Sequence, residues 1–409
     1  MKTNVPEASA ERPSYTPTPA PVTLTSLGRV KASGVAAGIK PSGRPDVALL
    51  VFDAPTPCAA VFTKNAFAAA PVVVCREHLE ASGGMVRALV INAGNANACT
   101  GEQGMRDARA MCDHVAGKLG CDPKSVLVAS TGVIGVPLPI DRVRAGIDAA
   151  FDTLSADDAG ARRFLDAIQT TDAFPKEAGV DAAGSRAAGV AKGAGMIEPD
   201  MATMIAIAGT SATLSVAELR AAAKSIADRS FNAIHVDSHA STNDSFYLFA
   251  TGRDEGHPAA AVEALGGIAE KLAWLIARDG EGATKVTTID VLGAPDDEAA
   301  GDIARRVAHS ALVRTALYGN DPNWGRFVSA LGNSPYAGDV SRLSCTLQGI
   351  AVFEHGEPAK FDRAAASAAM ARTDDLRIVL DLHAGSGRAR VLTSDLGYRY
   401  VEVNAEYTT

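Results

Sequence analysis

The stretch Met196-Ile197-Glu198-Pro199-Asp200-Met201-Ala202-Thr203-Met204 passes from an acidic, proline-bearing turn into the apolar run that follows, and one hydroxyl, Thr203, stands at the join. A threonine hydroxyl is a weak nucleophile unless a base sits beside it. Cutting the peptide bond ahead of Thr203 would supply that base, because the new α-amine and the hydroxyl would belong to one residue. An unperturbed α-amine has a pKa of about 7.7–8.0, so it accepts a proton near neutral pH. The chain can make the cut itself: the hydroxyl attacks the Ala202 carbonyl, the peptide C–N bond breaks as an ester forms, and water releases the ester. Ala202 is small and leaves room for that attack. The plain alternative is a spacer hydroxyl bonded to backbone.

Other polar clusters have plain readings too. Ala191-Lys192-Gly193-Ala194-Gly195-Met196 lacks the G-x-x-x-x-G-K-[ST] spacing of a phosphate-binding loop, and reads as a tight turn with Lys192 solvated. Asn92, Asn95 and Asn97 follow an apolar strand. Their amides could bind a ligand, but such residues more often bond their own turn. Asp237, Ser238, His239, Ser241, Asp244 and Ser245 crowd one short segment. A Ser-His-Asp triad is usually assembled from separated segments, so a polar loop before a strand is the default.

The elements that must position these groups alternate. Strands are expected over 45–53, 59–65, 245–252 and 284–293, over 86–101 and 125–135 as strands that each end in a turn of small residues, and over 69–79 a strand that leads into a helix start. Helices are expected over 102–120, 140–154, 215–231, 258–280 and 296–319. Gly120 closes the first, and Ser215 with Glu218 forms a capping box on the third. The tail 398–409 alternates like a strand. Strand, glycine-rich turn and helix recur in succession, which is an α/β signature. Residues 1–23, rich in Pro, Thr, Ser and Glu, read as a disordered lead-in, with folding starting near Leu24.

With 409 residues, 47% hydrophobic and 21% charged, the chain has the composition of a soluble globular protein large enough for one or two domains. A net charge of -8 and only 5% aromatic residues argue against nucleic-acid binding, which needs a basic footprint and stacking faces. No apolar run reaches the roughly 18 residues of a membrane helix. The six cysteines form no CxxC pair and no zinc spacing, so they read as reduced thiols of a cytoplasmic protein.

Nine segments, in order, resemble the ornithine acetyltransferase family, also called glutamate N-acetyltransferase. They are GVAAGIKPSGRPD (34–46), INAGNANACTGEQG (91–104), STGVIG (130–135), TTDAFPK (170–176), KGAGMIEPDMATMIA (192–206), STNDS (241–245), DGEGATK (279–285), YGNDPNWGR (318–326) and VNAEYTT (403–409). Each is modestly specific; nine in sequence, from about residue 25 to the end, are strong together. Departures at Ser238-His239-Ala240, Phe327 and Asn333 touch none of the positions carried over.

The resemblance implies self-cleavage between Ala202 and Thr203 into an α chain (24–202) and a β chain (203–409), associated as α₂β₂. It implies an α/β fold of two packed β-sheets covered by helices, with the site between the cleaved chains. Thr203 would be the nucleophile, and Thr131 and Gly132 the oxyanion hole. Thr170, or its neighbour Thr171, with Lys192, Thr203, Glu281, Asn404 and Thr409, would contact substrate. Lys192 suits a substrate carboxylate and Glu281 the ornithine ammonium. The implied activity is acetyl transfer from N-acetylornithine to glutamate in arginine biosynthesis, through a threonyl ester. It needs no metal or organic cofactor, and acetyl-CoA remains open as a co-substrate. A self-processed aminopeptidase that passes the acyl group to water, and an uncut metabolite-binding protein, are the rival readings.

Overall fold

The computed structural model describes residues 15–182, 184–198 and 204–406. Ala202, Thr203 and Thr409 lie outside the described residues, and so does the cleavage junction. The chain opens with β1 (Val30–Val35), β2 (Val47–Phe62), α1 (Ala70–Ala81), β3 (Met85–Asn95), α2 (Gly101–Leu119), β4 (Val126–Val133), α3 (Ile140–Asp152) and α4 (Asp158–Ile168). β5 (Lys176–Ala182) and β6 (Ser185–Lys192) precede the junction. After it come β7 (Ile205–Ala212), α5 (Val216–Arg229), β8 (Ile234–His235), β9 (Ser245–Asp254) and α6 (Pro258–Arg278). The remainder is β10 (Val286–Ala294), α7 (Asp297–His309), α8 (Ala311–Tyr318), α9 (Trp324–Leu331), β11 (Ser344–Leu347), β12 (Ile350–Glu354), β13 (Glu357–Pro358), α10 (Arg363–Ala371), β14 (Asp375–Asp381), β15 (Gly387–Ser394) and α11 (Tyr398–Glu406).

Two helix-flanked sheets carry the fold, as the α/β reading expects. One has the order β4-β3-β2-β9-β7-β6-β5 with β1 also on β2; the other has the order β13-β12-β11-β14-β10-β15-β8. Alternation along β7 and β9 shows how the layers form. Ile205, Ile207, Tyr247 and Phe249 share a core with Leu49, Ile91 and Val128. Their neighbours Ala206, Ala208, Phe246 and Leu248 share another core with Leu219 of α5 and Leu265 of α6. The β1–β4 half of the first sheet and its β5–β7, β9 half therefore meet across one interior, because successive side chains leave opposite faces of a strand. α6 lies between the sheets: its core also takes in Val286 of β10 and Leu392 of β15.

Five expectations change. The strands expected over 45–53 and 59–65 are one strand, β2, whose register shifts between Val51 and Thr56. Pro55 and Pro57 cannot donate to a ladder; β3 pairing resumes past the shift at Thr56 and Pro57, and β9 pairs with β2 from Cys58 onward. The run at 69–79 is helical from Ala70, not extended; Pro71 opens the first turn, and Val72, Cys75 and Leu79 bury one helical face. Tertiary burial outweighs the strand preference of three valines. The helix expected over 296–319 breaks at Ser310, whose backbone is extended and whose Oγ accepts from the Val313 N–H as a cap on α8. The described part of the tail, Tyr398–Glu406, is a helix rather than a strand. Packed contacts also begin before Leu24, since the Tyr15 ring lies 5.0 Å from that of Phe174 and Val22 is buried.

Candidate active site

Near its end β4 sets Thr131-Gly132 beside Gly94 and Asn95 of β3, where Asn95 faces both Thr131 and Val133. Gly132 has φ 132°, and a Cβ added there would lie 2.3 Å from the Gly94 carbonyl carbon. Only glycine permits that approach. Gly132→Ala should therefore cost about 3 kcal/mol or more of stability, read as an earlier thermal transition. An unchanged transition would mean that β3 yields freely at this point.

Lys192, at the end of β6, is buried, and its Nζ donates to Thr131 Oγ1 at 3.0 Å. An ammonium can only donate, so the Thr131 oxygen is the acceptor and its own O–H is left to donate elsewhere. The charge-assisted bond polarises that O–H further. Burial lowers the Lys192 pKa against the raising effect of Asp172. The Lys192 side chain is thus not solvated, as a surface-turn reading had it.

Thr131, Gly132, Thr170, Thr171, Lys192, Glu281 and Asn404 line one pocket. The structure brings these expected residues together, and both threonines of the Thr170/Thr171 alternative face it. Glu281 is fixed by its N–H, which donates to the Ala194 carbonyl at 2.9 Å. A Cβ on Gly195 would lie 2.4 Å from the Glu281 carboxylate, so the bare glycine admits it. Asn404 arrives on α11, with Nδ2 donating to the Tyr400 carbonyl at 3.0 Å. Residues four apart share a helix face, so Asn404 lies above Tyr400 as a strand would also have placed it, but Glu402 does not.

Both flanks of the 199–203 segment are held, and the preceding one lies at this pocket. Gly195 and Met196 line it on one side, and the Met196 and Ile197 N–H groups donate to Asp237 at 2.6 and 2.8 Å. On the other side the Met204 N–H donates to Asp244 Oδ1 at 3.0 Å, and its carbonyl accepts from Ser245. Asn243, next to Asp244, lines the pocket and donates to the carbonyls of Ala96 and Ser130 at 2.6 and 2.8 Å. The segment 237–245 is thus a backbone clamp. Asp237 is engaged with backbone N–H groups and His239 is exposed, so the Ser-His-Asp reading does not hold. Asn92 and Asn97 bond the Asn95 and Gly104 carbonyls, the turn-stabilising role.

Sequence reasoning missed a buried triad beneath the site. Lys176 Nζ donates to Asp172 Oδ1 at 2.6 Å and to Asp279 Oδ2 at 2.5 Å, with its side chain fully buried. Asp172 also accepts from the N–H groups of Gly193 and Thr170, which sets the backbone on both sides of the pocket. A charged residue in each of the TTDAFPK and DGEG segments was the available signal, but their meeting is a tertiary fact. Burial would raise the Asp172 carboxyl, yet Lys176 and Lys192 hold it well below the usual carboxylate range. Asp279 has fewer donors; burial, with Asp172 adding to it, pushes its pKa up to about 6. Since that lies above an unfolded value of about 3.9, Asp279 contributes stability that is present below pH 3.9 and lost as pH rises through about 6. Asp279→Asn should flatten the decline between about pH 4 and pH 6 in urea unfolding; parallel curves for the two proteins would assign that proton elsewhere.

A hydroxyl donor fixed at a strand end, beside a buried lysine and a carboxylate, suits an acyl group carried on an amino-acid-sized substrate, and the chain falls among acyl-transferring enzymes. The model described as the ArgJ family matches residues 31–409. The arginine biosynthesis bifunctional protein ArgJ of Thermus thermophilus is 46% identical over 380 residues, covering 93% of this chain and 98% of that one. Its counterpart from Thermosynechococcus vestitus is 43% identical over 412 residues, covering 94% and 98%. A solved ornithine acetyltransferase from Mycobacterium tuberculosis, complexed with ornithine, is 35% identical, covers 45% of this chain and 96% of that one, and has a TM-score of 0.40. The chain belongs to the ArgJ family and is an enzyme.

Proposed function

We propose that this enzyme moves an acetyl group from N-acetylornithine to glutamate, giving ornithine and N-acetylglutamate for arginine biosynthesis. The observation that carries the reading is the Lys192–Thr131 hydrogen bond beside Gly132, in a pocket also lined by Gly195 and Met196, which precede the Thr203 segment. Self-cleavage after Ala202 frees the Thr203 amine. That amine takes the hydroxyl proton as Oγ1 attacks the acetyl carbonyl. The Thr131 O–H and the Gly132 N–H stabilise the developing oxyanion. The C–N bond to ornithine breaks, the amine returns its proton to the leaving nitrogen, and an acetyl-threonyl ester remains. Glutamate then attacks the ester and regenerates the hydroxyl.

Lys192 and Glu281 offer opposite charges to the substrate's carboxylate and ammonium, and Thr170 and Asn404 add polar contacts. Thr409 is assigned to the substrate site on resemblance alone. The proton transfers use only groups of the chain, so the steps call for no metal or organic cofactor. Acetyl-CoA as a second donor is supported by a cleft of about 930 Å³ that shares Thr171 and Glu281 with the pocket and is lined by Arg278, Arg372 and Arg399. No described helix is long and apolar enough to cross a membrane. We place the enzyme in the cytoplasm as an α₂β₂ assembly of its two chains, without nucleic-acid partners.

Labelled N-acetylornithine, supplied with and without glutamate, tests the reading. N-acetylglutamate should form in step with ornithine, and without glutamate the label should stay on a fragment beginning Thr-Met-Ile. Ornithine release at one rate in both cases, with free acetate as product, would point to hydrolysis instead.

A further inference from the structure

Away from the pocket, three side chains meet that the proposed reaction does not use. Glu198 ends the described part of the α segment, His235 ends β8 and His309 ends α7. One ligand atom from each lies within 4.8 Å of the other two. His309 Nε2 contacts Glu198 Oε1, His235 Nδ1 lies 3.8 Å from the same oxygen, and the two imidazole centroids are 4.2 Å apart.

His235 carries the argument. Its side chain is 1% exposed, yet neither ring nitrogen has a hydrogen-bond partner among the described residues. Burying two unsatisfied polar atoms costs free energy that native interiors rarely leave uncompensated. A bound ion would satisfy one of these two nitrogens by taking it as a ligand. Arg314, whose charge acts on His235, is already tied to the Ser394 carbonyl and Oγ. His309 is 37% exposed, which gives an ion a route in and leaves room for a water.

We infer that Glu198, His235 and His309 form a site for a divalent transition metal, with Zn²⁺ the best match to two imidazoles and one carboxylate. Three protein ligands leave the fourth tetrahedral position to water. The site ties the segment leading to Ala202–Thr203 onto β8 and α7. If the chain is cut as proposed above, Glu198 belongs to the α chain and both histidines to the β chain, so the ion would also staple the two chains together. That consequence rests on the proposed cleavage; metal binding itself does not.

The test is titration of the full-length, metal-free chain with Zn²⁺, and with Co²⁺ followed by visible absorption. It should be run on wild type, Glu198→Gln, His309→Ala and Thr203→Ala. One ion per chain should bind, with the intense visible bands of four-coordinate Co²⁺. Affinity should fall by about tenfold or more in Glu198→Gln and His309→Ala, and stay at the wild-type level in Thr203→Ala. His309 is partly exposed, so its removal should leave the fold intact, which circular dichroism checks. No saturable binding, or affinity unchanged in both ligand variants, overturns the site. Loss of binding in Thr203→Ala alone would overturn its independence from cleavage. Failure of acetyl transfer alongside intact metal binding would instead tell against the proposed reaction.

Discussion

Thr203→Ala should run on a denaturing gel as one 42.0 kDa chain and should lose acetyl transfer by about 10⁴-fold or more. Both losses have one cause. In the proposed mechanism the hydroxyl that attacks the Ala202 carbonyl during maturation is the hydroxyl that later attacks the acetyl carbonyl, and the amine that serves as its base exists only after the first attack. Alanine removes the nucleophile without changing the strand that follows. Met204 can still donate to Asp244, and Ile205 can still pair with Lys192 and Ser245. The variant should therefore fold, with a far-ultraviolet spectrum like that of wild type. Thr203→Ser, which keeps a hydroxyl but loses the methyl that restricts its rotamers, should cut more slowly and retain partial transfer. Two fragments from the alanine variant would show that another group cleaves the chain, and the mechanism would fall with that result.

The second large effect is expected at Thr131. Valine keeps the branched shape and deletes the O–H, so Thr131→Val should lower kcat by about 10²–10³-fold while leaving KM within a few-fold, the loss of one oxyanion donor at about 2.7–4 kcal/mol. Substrate binding is spared because the donor's partner gains charge only as the tetrahedral intermediate forms. Lys192 is left with an unmade bond to a buried ammonium, which adds some loss of stability. Thr131→Ser separates the two contributions: it restores an acceptor for Lys192 and a donor for the oxyanion, and should recover most of kcat. A KM effect as large as the kcat effect would move Thr131 from transition-state stabilisation to ground-state binding.

Much of the fold was legible because it is written locally. The helices over 101–119, 216–229 and 258–278 follow from apolar spacing together with local signals: Gly120 in a left-handed conformation, the reciprocal Ser215–Glu218 bonds and Pro258 in a first turn. Where two local codes competed, position in the fold decided. The valines of α1 are as compatible with a strand, Ser310 is compatible with a helix interior, and Tyr398–Glu406 alternates yet coils. Each outcome depends on which neighbour buries the apolar face, and no window of a dozen residues contains that neighbour.

The sequence by itself determined the chemistry that one residue can carry: a hydroxyl and, after a cut, its own amine at Thr203, with glycines where backbones must pass closely. Only the tertiary structure decided what surrounds that residue. It brought Thr131 from β4 to Lys192 from β6, set Gly193 and Thr170 on a carboxylate shared with Lys176, and gathered Glu198, His235 and His309 from three elements. The physical reason is range. Caps, turns and periodicity act over a few residues of chain, whereas hydrogen bonds between distant segments exist only after the sheets have paired and their burial has compensated the entropy of closing the loops between them.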